Sequence, residues 1–249
     1  KKIVFVGVVD LSFVLLDSIL RNGGRVVGVI TSEDKKINSD YCDLSVLCEE
    51  HSIDCVKVDD INSTDSKKWI RDLSPDIIFC FGWSRLLKEE ILQIPPMGVV
   101  GFHPANLPMN RGRHPLIWAL VLGLEATAST FFLMDAYADS GEIVSQVKVE
   151  IKYEDDAASL YAKVAKIAII QVKEILAMLE TGNLNKERQD SSISNIWRKR
   201  TQEDGKIDWR MSSRSIYNLV RALTKPYVGA HFSFLGTDYK VWKCKEYGK

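Results

Sequence analysis

The sequence predicts an α/β protein with a Rossmann-like, mostly parallel sheet of about seven strands and helices on both faces. Residues 3–9 form an apolar run, residues 11–21 carry apolar side chains at helical spacing, and residues 25–31 are again rich in β-branched residues. This opening β-α-β unit is typical of a parallel sheet with right-handed crossovers. The 249 residues are 46% apolar and 27% charged, an ordinary composition for a globular protein.

Helices and strands continue to alternate along the chain. Helices are predicted over residues 43–51, 66–73, 88–92, 115–122 and 155–179, and strands over residues 54–58, 75–81, 99–103, 127–134 and 143–151. The last of these strands alternates apolar and polar residues, which predicts an antiparallel edge strand.

The composition changes after Gly182. The polar residues 183–195 are interpreted as a linker. A helix over residues 212–223 and strands over residues 229–234 and 239–245 then predict a small α+β C-terminal appendage. We therefore expect a main domain over residues 1–182 and a small subdomain over residues 196–249.

Several classes of function are disfavoured by composition and motif. The loop after the first strand lacks the GxGxxG spacing, which counts against a nicotinamide dehydrogenase. A formal net charge of zero disfavours a long polyanion as the main partner, so no nucleic-acid partner is expected. Since there is no apolar run of about 18 residues, no membrane partner is expected either. Five cysteines without a Cys-x-x-Cys pair indicate reduced thiols in a cytoplasmic protein and no metal site.

Two residues carry the predicted chemistry. His103 follows an apolar strand, and Asp139 opens the turn Asp139-Ser140-Gly141. A carboxylate can orient an imidazole and raise its basicity, so the pair indicates a site that handles protons. Each residue also has a structural alternative: the histidine could serve as a hydrogen-bonding group of the core, and the aspartate could cap its own turn.

The segment FHPANLPMNRGRHPLIWAL, followed by MDAYADSGEIVSQ, resembles the signature of the folate-dependent formyltransferases, and most closely the nucleotide-sugar N-formyltransferases. The family pattern is Asn-x-His, a Leu-Leu-Pro-like turn, Arg-Gly and Asp-x-Gly, which match residues 101–103, 106–108, 111–112 and 139–141. The segments RKRTQEDGKIDW and IYNLVRALTKPYVGA are similar to those that follow the catalytic domain in the sugar-modifying members.

This resemblance implies transfer of a formyl group from N10-formyltetrahydrofolate to the amine of a nucleotide-linked amino sugar, for surface polysaccharide or flagellar glycans. His103 would accept the amine proton or bind the oxyanion, and Asp139 would orient His103. The folate would lie against Trp83, Ser84, Leu86, Leu87, Tyr137 and Asp139. Residues expected to contact the substrate, including arginines that could meet a diphosphate, are Asn106, Arg111, Arg113, Arg198, Arg200 and Tyr227.

One departure from the family pattern concerns Gly101, which stands where the family has the asparagine that helps hold the oxyanion. Loss of such a donor can cost about 3 kcal/mol of transition-state stabilisation. Asn106, His103 with an ordered water, or a backbone N–H could replace it. We favour His103 with water, because Asn106 is expected to cap its own turn. On that basis Asn106→Ala costs less than about tenfold in kcat, and Gly101→Asn is tolerated or improves it.

Three alternatives remain open. The amine could belong to charged initiator tRNA, although the short tail and neutral charge disfavour it, or to another small molecule. The protein could also be a catalytically silent module that binds folate or a nucleotide sugar, given Gly101. A homodimer is compatible with these features.

Overall fold

The computed structural model describes residues 1–33 and 40–247, and its core is a sheet of seven strands in the order β3-β2-β1-β4-β5-β7-β8. These strands are β1 Lys2–Val6, β2 Arg25–Thr31, β3 Cys55–Lys57, β4 Ile77–Cys80, β5 Val99–His103, β7 Ala126–Leu133 and β8 Ile143–Glu150. The first five in this order pair in parallel, whereas β7 and β8 are antiparallel. The predicted mostly parallel sheet with an antiparallel edge strand is confirmed.

Helices cover both faces of this sheet. They are α1 Asp10–Arg21, α2 Ser45–Glu50, α3 Thr64–Leu73, α4 Glu89–Leu92, α5 Pro115–Val121, α6 Ala157–Thr181 and α7 Ser213–Leu223. Alternation along β1 shows the two faces: Phe5 packs in a cluster with residues of α1 and α6, and Val6 packs in a second cluster with residues of α3 and α4. Helices on both faces of the sheet are what the continuous apolar strands of the sequence predict.

The C-terminal segment packs on the end of this core. Leu120 of α5 and Val220 of α7 belong to one buried cluster, and the guanidinium of Arg221 donates to the backbone oxygens of Lys152 and Asp155. The hairpin β10 Ala230–Phe234 and β11 Thr237–Val241 completes the predicted small α+β appendage. The proposed boundaries of the two domains remain predictions.

The structure differs from what the sequence predicts at two places. The pair β6 Arg111–Gly112 and β9 Ile196–Trp197 was not predicted, because strands of two residues leave no periodic signal. The sequence favours core packing over base stacking for Trp209, but its side chain is 65% exposed and meets the ring of Phe232 edge-on. Residues 32–41 form a polar stretch for which the sequence predicts a loop, and part of it lies outside the described residues.

Candidate active site

His103 ends β5 at the carboxyl edge of the sheet and is 5% exposed. Its Nε2 lies 2.8 Å from the backbone oxygen of Asn110. Since a carbonyl oxygen only accepts hydrogen bonds, Nε2 is the donor in this bond, and in the tautomer that this implies the lone pair lies on Nδ1. Nδ1 lies 3.6 Å from Oδ2 of Asp139. The structure thus brings the predicted pair together, with the basic nitrogen facing the carboxylate.

The Asp139 loop, residues 135–141, contains a residue in an unusual backbone conformation. Asp139 has a φ of 56°, in the left-handed region, and its Oδ2 accepts a hydrogen bond of 2.9 Å from the backbone N–H of Gly112. A Cβ at position 141 would lie 1.7 Å from the backbone oxygen of Leu133, so the last position of Asp-x-Gly must be glycine. The motif therefore presents the carboxylate to His103 while the chain turns back into β8.

The consecutive residues 111–113 join three loops around His103. Arg111 donates to Oε1 of Gln189, Gly112 donates to Asp139, and Nη1 of Arg113 donates to the backbone oxygen of Ser84 at 3.0 Å. A Cβ at position 112 would lie 2.2 Å from the backbone oxygen of Trp197, so close pairing of β6 with β9 requires the glycine. The Arg-Gly motif is a structural junction of the site.

The His103 loop, residues 104–110, is held by side chains of the neighbouring strands. The hydroxyl of Thr127 donates to Pro104 at 3.0 Å, and the hydroxyl of Thr130 donates to Ala105 at 2.7 Å. A further bond of 3.0 Å runs from the amide of Gln146 to the carbonyl oxygen of Leu107. These bonds fix the chain directly after the histidine.

The arrangement of motifs agrees with the comparison to known proteins. Residues 1–175 match the family described as Formyl transferase, and residues 199–249 match Formyl transferase, C-terminal domain. This chain belongs to the formyl transferase family. One curated relative, the bifunctional polymyxin resistance protein ArnA of Wigglesworthia glossinidia brevipalpis, is 33% identical over 238 residues. That match covers 95% of this chain but only 36% of the relative, so the chain spans about a third of its length.

Solved formyltransferases share the fold. A 4-N formyltransferase from Francisella tularensis aligns with a TM-score of 0.80 at 19% identity, over 99% of this chain and 98% of that one. An N-formyltransferase from Helicobacter canadensis, in complex with folinic acid and dTDP-3-aminofucose, has a TM-score of 0.78 at 20% identity over 97% and 86%. A methionyl-tRNA formyltransferase from Clostridium thermocellum has a TM-score of 0.71 at 17% identity over 100% and 95%. At these identities the likeness establishes the fold alone.

The residues that were predicted to contact folate lie on two loops at the same sheet edge. Trp83 is half-buried after β4, and its Nε1 is buried without a hydrogen-bond partner among the described residues. Leu86 is 65% exposed and Tyr137 is 78% exposed. Leu87 differs from them, since it is buried in the cluster with α4 and offers a ligand little surface. The assignment of folate contacts remains a prediction.

Gly101 is enclosed by side chains within the sheet. It pairs with Phe132 of β7, and a Cβ at this position would lie 2.9 Å from Cγ of Met134 and 3.0 Å from Cζ of Phe132. A Cβ at position 101 therefore fits only if the side chains of Met134 and Phe132 shift, and the tolerance of Gly101→Asn stays a prediction.

Asn106 also differs from its expected role. Its backbone oxygen accepts from the N–H of Met109, but its half-buried carboxamide makes no hydrogen bond within residues 1–33 and 40–247. The expected capping of its own turn is therefore absent, and the carboxamide is free of hydrogen bonds to the described residues.

Three residues predicted to contact the substrate have side chains that pack against or bond to other parts of the protein. Arg111 is buried with its guanidinium against Gln189. Arg200 is buried, lies 4.5 Å from the centre of the Trp118 ring, and has its pKa lowered by desolvation. Tyr227 packs against the α5–α7 cluster, and burial, with the nearby Asp40, raises the pKa of its hydroxyl. These positions do not favour contact with a diphosphate or a base.

Two further arginines remain closer to the prediction. Arg198 is exposed but forms a bidentate ion pair with Asp204 at 2.8 Å and 2.5 Å. Hydrogen bonds from Arg198 and from the backbone of Thr201 hold the pKa of the Asp204 carboxyl well below its usual range. Arg113 is half-buried and reaches the Trp83 side of the site through Ser84. Substrate contact by these two residues stays a prediction.

Gln189, Thr130 and Gln146 contribute to the site but were not predicted. Gln189 lies in a polar stretch, and the other two alternate along strands, so no local pattern separates them from ordinary polar residues. Within the described residues, no group of three or more His, Cys, Asp and Glu side chains could hold a metal ion. In the same part of the chain, no helix is long and apolar enough to cross a bilayer.

Proposed function

We propose that this formyltransferase moves a formyl group from N10-formyltetrahydrofolate to the amine of a nucleotide-linked amino sugar, for surface polysaccharide or flagellar glycan synthesis. The observation that carries the proposal is the pairing of His103 Nδ1 with Asp139 Oδ2 at the end of β5, inside the Arg-Gly and Asp-x-Gly framework. Formyl transfer to an amine needs a base at the reacting centre, and this pair supplies one.

The proposed chemistry uses the proton distribution of His103. The lone pair of the neutral amine attacks the formyl carbon, forming a new C–N bond. His103 accepts the amine proton at Nδ1, and the adjacent Asp139 carboxylate stabilises the resulting imidazolium. The bond from the formyl carbon to N10 of the folate then breaks, and the histidine returns its proton to the departing N10. Asn110 keeps the ring oriented throughout by accepting from Nε2–H.

The oxyanion needs a donor that Gly101 cannot provide. We assign this role to Asn106, because its half-buried carboxamide has no other partner among the described residues and it lies three residues after His103. This replaces the expectation of His103 with water. The Nε2–H of His103 is already committed to Asn110, which leaves the ring less able to serve as the oxyanion donor.

Features of the Trp83 side support a folate. The buried Nε1 of Trp83 is a donor without a partner in the described residues, and the exposed Leu86 and Tyr137 offer apolar surface nearby in the two loops. A flat heterocycle with acceptor atoms fits that combination. The folate would supply the activated formyl group, while this chain's residues bind and orient it.

The acceptor class rests on charge. A neutral chain with 33 basic and 33 acidic residues lacks the surplus of cations that binding of tRNA uses. Chain length no longer separates the two acceptors, since the tRNA-formylating neighbour is covered over 95% of its own chain. The sugar-type C-terminal segments and the neighbour bound to a dTDP-amino sugar support the sugar. Cytoplasmic location, a homodimeric state, and the absence of nucleic-acid and membrane partners remain predictions.

Gly101 favours a second candidate, a silent module that binds folate or a nucleotide sugar without turnover. One assay separates the candidates: purified protein with N10-formyltetrahydrofolate and, in parallel arms, dTDP- and UDP-linked amino sugars, free amino sugars and charged initiator tRNA. We expect release of tetrahydrofolate to be fastest with one nucleotide-linked sugar, and to be lost in His103→Ala. Faster transfer to tRNA would overturn the proposal, and calorimetric binding of folate and sugar without turnover would establish the silent module.

A further inference from the structure

The carboxamide of Gln189 lies at the centre of four hydrogen bonds. Its Oε1 accepts from Nε and Nη2 of Arg111 at 3.1 Å and 2.7 Å. Its Nε2 donates to the backbone oxygens of Asp139 and Gly141 at 2.9 Å and 2.7 Å. The side chain therefore spans the first and last residues of the Asp-x-Gly turn on one side and the Arg-Gly junction on the other.

The orientation of this amide is fixed by chemistry. A guanidinium only donates hydrogen bonds, and a backbone carbonyl only accepts them. The oxygen must therefore face Arg111 and the nitrogen must face the turn, so a flipped amide would lose all four bonds. All the hydrogen-bonding capacity of the Nε2 protons is used on this turn.

The Asp139 loop needs such support. Asp139 has a φ of 56°, which is costly for a residue with a Cβ. Among the described residues, the hydrogen bonds of Ser140 and Tyr137 stay inside the same loop, to Asp135 and to each other. Bonds that reach the turn from other segments come from Gly112, which holds the carboxylate, and from Gln189, which holds the backbone.

We infer that Gln189 is a positioning residue for the formyl transfer: it locks the Asp139 turn so that the carboxylate faces His103. This rests on the proposed function of the His103–Asp139 pair. Residues 183–195, interpreted as a linker, thereby contribute to the active site. The segment is anchored on both sides of Gln189, by mutual backbone bonds between Glu187 and Ile143 and by the bond from Arg111 to the backbone oxygen of Asn195.

Two substitutions separate positioning from simple packing. Gln189→Met keeps the length and removes all four bonds. Gln189→Glu keeps the acceptor for Arg111 but places a carboxylate against two carbonyl oxygens, so it loses only the hold on the turn. If the role of Gln189 were merely to neutralise Arg111, the Glu variant would behave as wild type. Gln93→Met is the matched control, since Gln93 is exposed and, in the part of the chain that the structure describes, its side chain bonds only to Glu89 of the same helical region.

We expect both Gln189 variants to lower kcat by roughly 10- to 100-fold with KM for the amino sugar changed by less than about threefold, because a shift of about 1 Å in a catalytic group has that effect on rate. The control should match wild type. All assays run at a temperature where circular dichroism shows every variant folded. Wild-type kcat in either folded Gln189 variant would overturn the inference.

Amide hydrogen exchange gives a readout that needs no substrate. The N–H of Gly112 donates to Oδ2 of Asp139, so its protection reports where the carboxylate sits. We expect faster exchange at Gly112 in both Gln189 variants, with exchange in β5 unchanged. Unchanged protection at Gly112 would overturn the inference. If the wild type formylates no tested amine, the proposed function fails, and the exchange result still decides whether Gln189 holds the turn.

Discussion

The two loops that meet at the active site are held in different ways. The His103 loop is fixed by Thr127, Thr130 and Gln146, which belong to the sheet strands beside it. The Asp139 loop is instead fixed from outside the sheet, by the backbone of Gly112 and the side chain of Gln189. The proposed base is thus held by the sheet, and its proposed carboxylate partner is held by two segments outside the sheet.

This difference separates stability from activity. Bonds that hold the His103 loop lie within the sheet and should contribute mainly to the free energy of unfolding. Those that hold the Asp139 loop join surface segments, and their loss should change the geometry of catalysis more than the stability of the fold. Substitutions that loosen the His103 loop should therefore lower the free energy of unfolding more than kcat. Substitutions that loosen the Asp139 loop should lower kcat more than the free energy of unfolding.

The largest effect is expected where both loops meet. His103→Ala and Asp139→Asn should lower kcat by roughly 10²- to 10⁴-fold, because the first removes the base and the second removes the charge that stabilises its protonated form. The amide oxygen in the second variant still accepts from Gly112, so the loop and the fold are retained. Steady-state kinetics with saturating substrates, beside circular dichroism, provides the check. Near wild-type kcat in either variant would remove the assigned role.

The next effect concerns the oxyanion donor on the His103 loop. Asn106→Ala should lower kcat by roughly 10²-fold with substrate binding unchanged, which is the usual effect of losing one such donor. Calorimetry of amino-sugar binding separates the two quantities. A loss below about tenfold would return the role to His103 with an ordered water.

Thr130→Val tests the sheet side of the comparison. The substitution keeps the shape but removes the donor to Ala105 and the acceptor for Gln146, so the free energy of unfolding should fall by about 1–3 kcal/mol. Its kcat should stay within about threefold of wild type at a temperature where it is folded, the opposite balance to Gln189→Met. Denaturant unfolding and kinetics on the two variants make the contrast measurable. Equal losses of kcat in both would abolish the distinction.

Gly101→Asn tests whether the sheet side can regain the family asparagine. The contacts with Phe132 and Met134 should cost about 1–3 kcal/mol of stability, and kcat should not rise. The paired variant Gly101→Asn with Met134→Ala creates space at the closest contact and should recover part of that stability. An increase in kcat in the single variant would show that the space opens in solution.

The smallest effect is a dependence on pH at the junction between the site and the C-terminal segment. Burial and the charges of Arg113, Arg200 and Lys199 lower the pKa of His114 from its ordinary 6.5, and its Nδ1 accepts from the backbone N–H of Arg200 at 3.3 Å. The unfolded chain therefore takes up this proton more readily than the folded one. The contribution of neutral His114 to the free energy of unfolding is therefore present above about pH 6.5 and is lost as the pH falls below that value.

His114→Gln should lose less stability than wild type between pH 7.5 and pH 5.5, because glutamine keeps an acceptor without a titrating group. Denaturant unfolding of both proteins at the two pH values measures the difference, in which the titrations of other residues cancel. Parallel pH profiles of stability would contradict this assignment.

The residues of the site differ in how far the sequence could identify them. His103 and Asp139 could be chosen as candidates because a strand end and a turn leave recognisable patterns and both residues match the family signature. Arg111 was singled out but was assigned to a diphosphate, because the sequence does not distinguish an arginine that binds a ligand from one that bonds to another segment of the chain. Gln189 left no signal, because its role depends entirely on two carbonyls that lie about 50 residues away in the chain.

The sequence by itself determined the order of strands and helices, the antiparallel edge strand, the C-terminal appendage and the family, because these follow from periodicity and local motifs. Only the tertiary structure decided that Gly101 is enclosed by Phe132 and Met134, that Asn106 is uncommitted, and that the polar segment around Gln189 holds the Asp139 turn. Space and hydrogen-bond partners are properties of neighbours that are distant in the chain. Local patterns carry no record of them until the chain is folded.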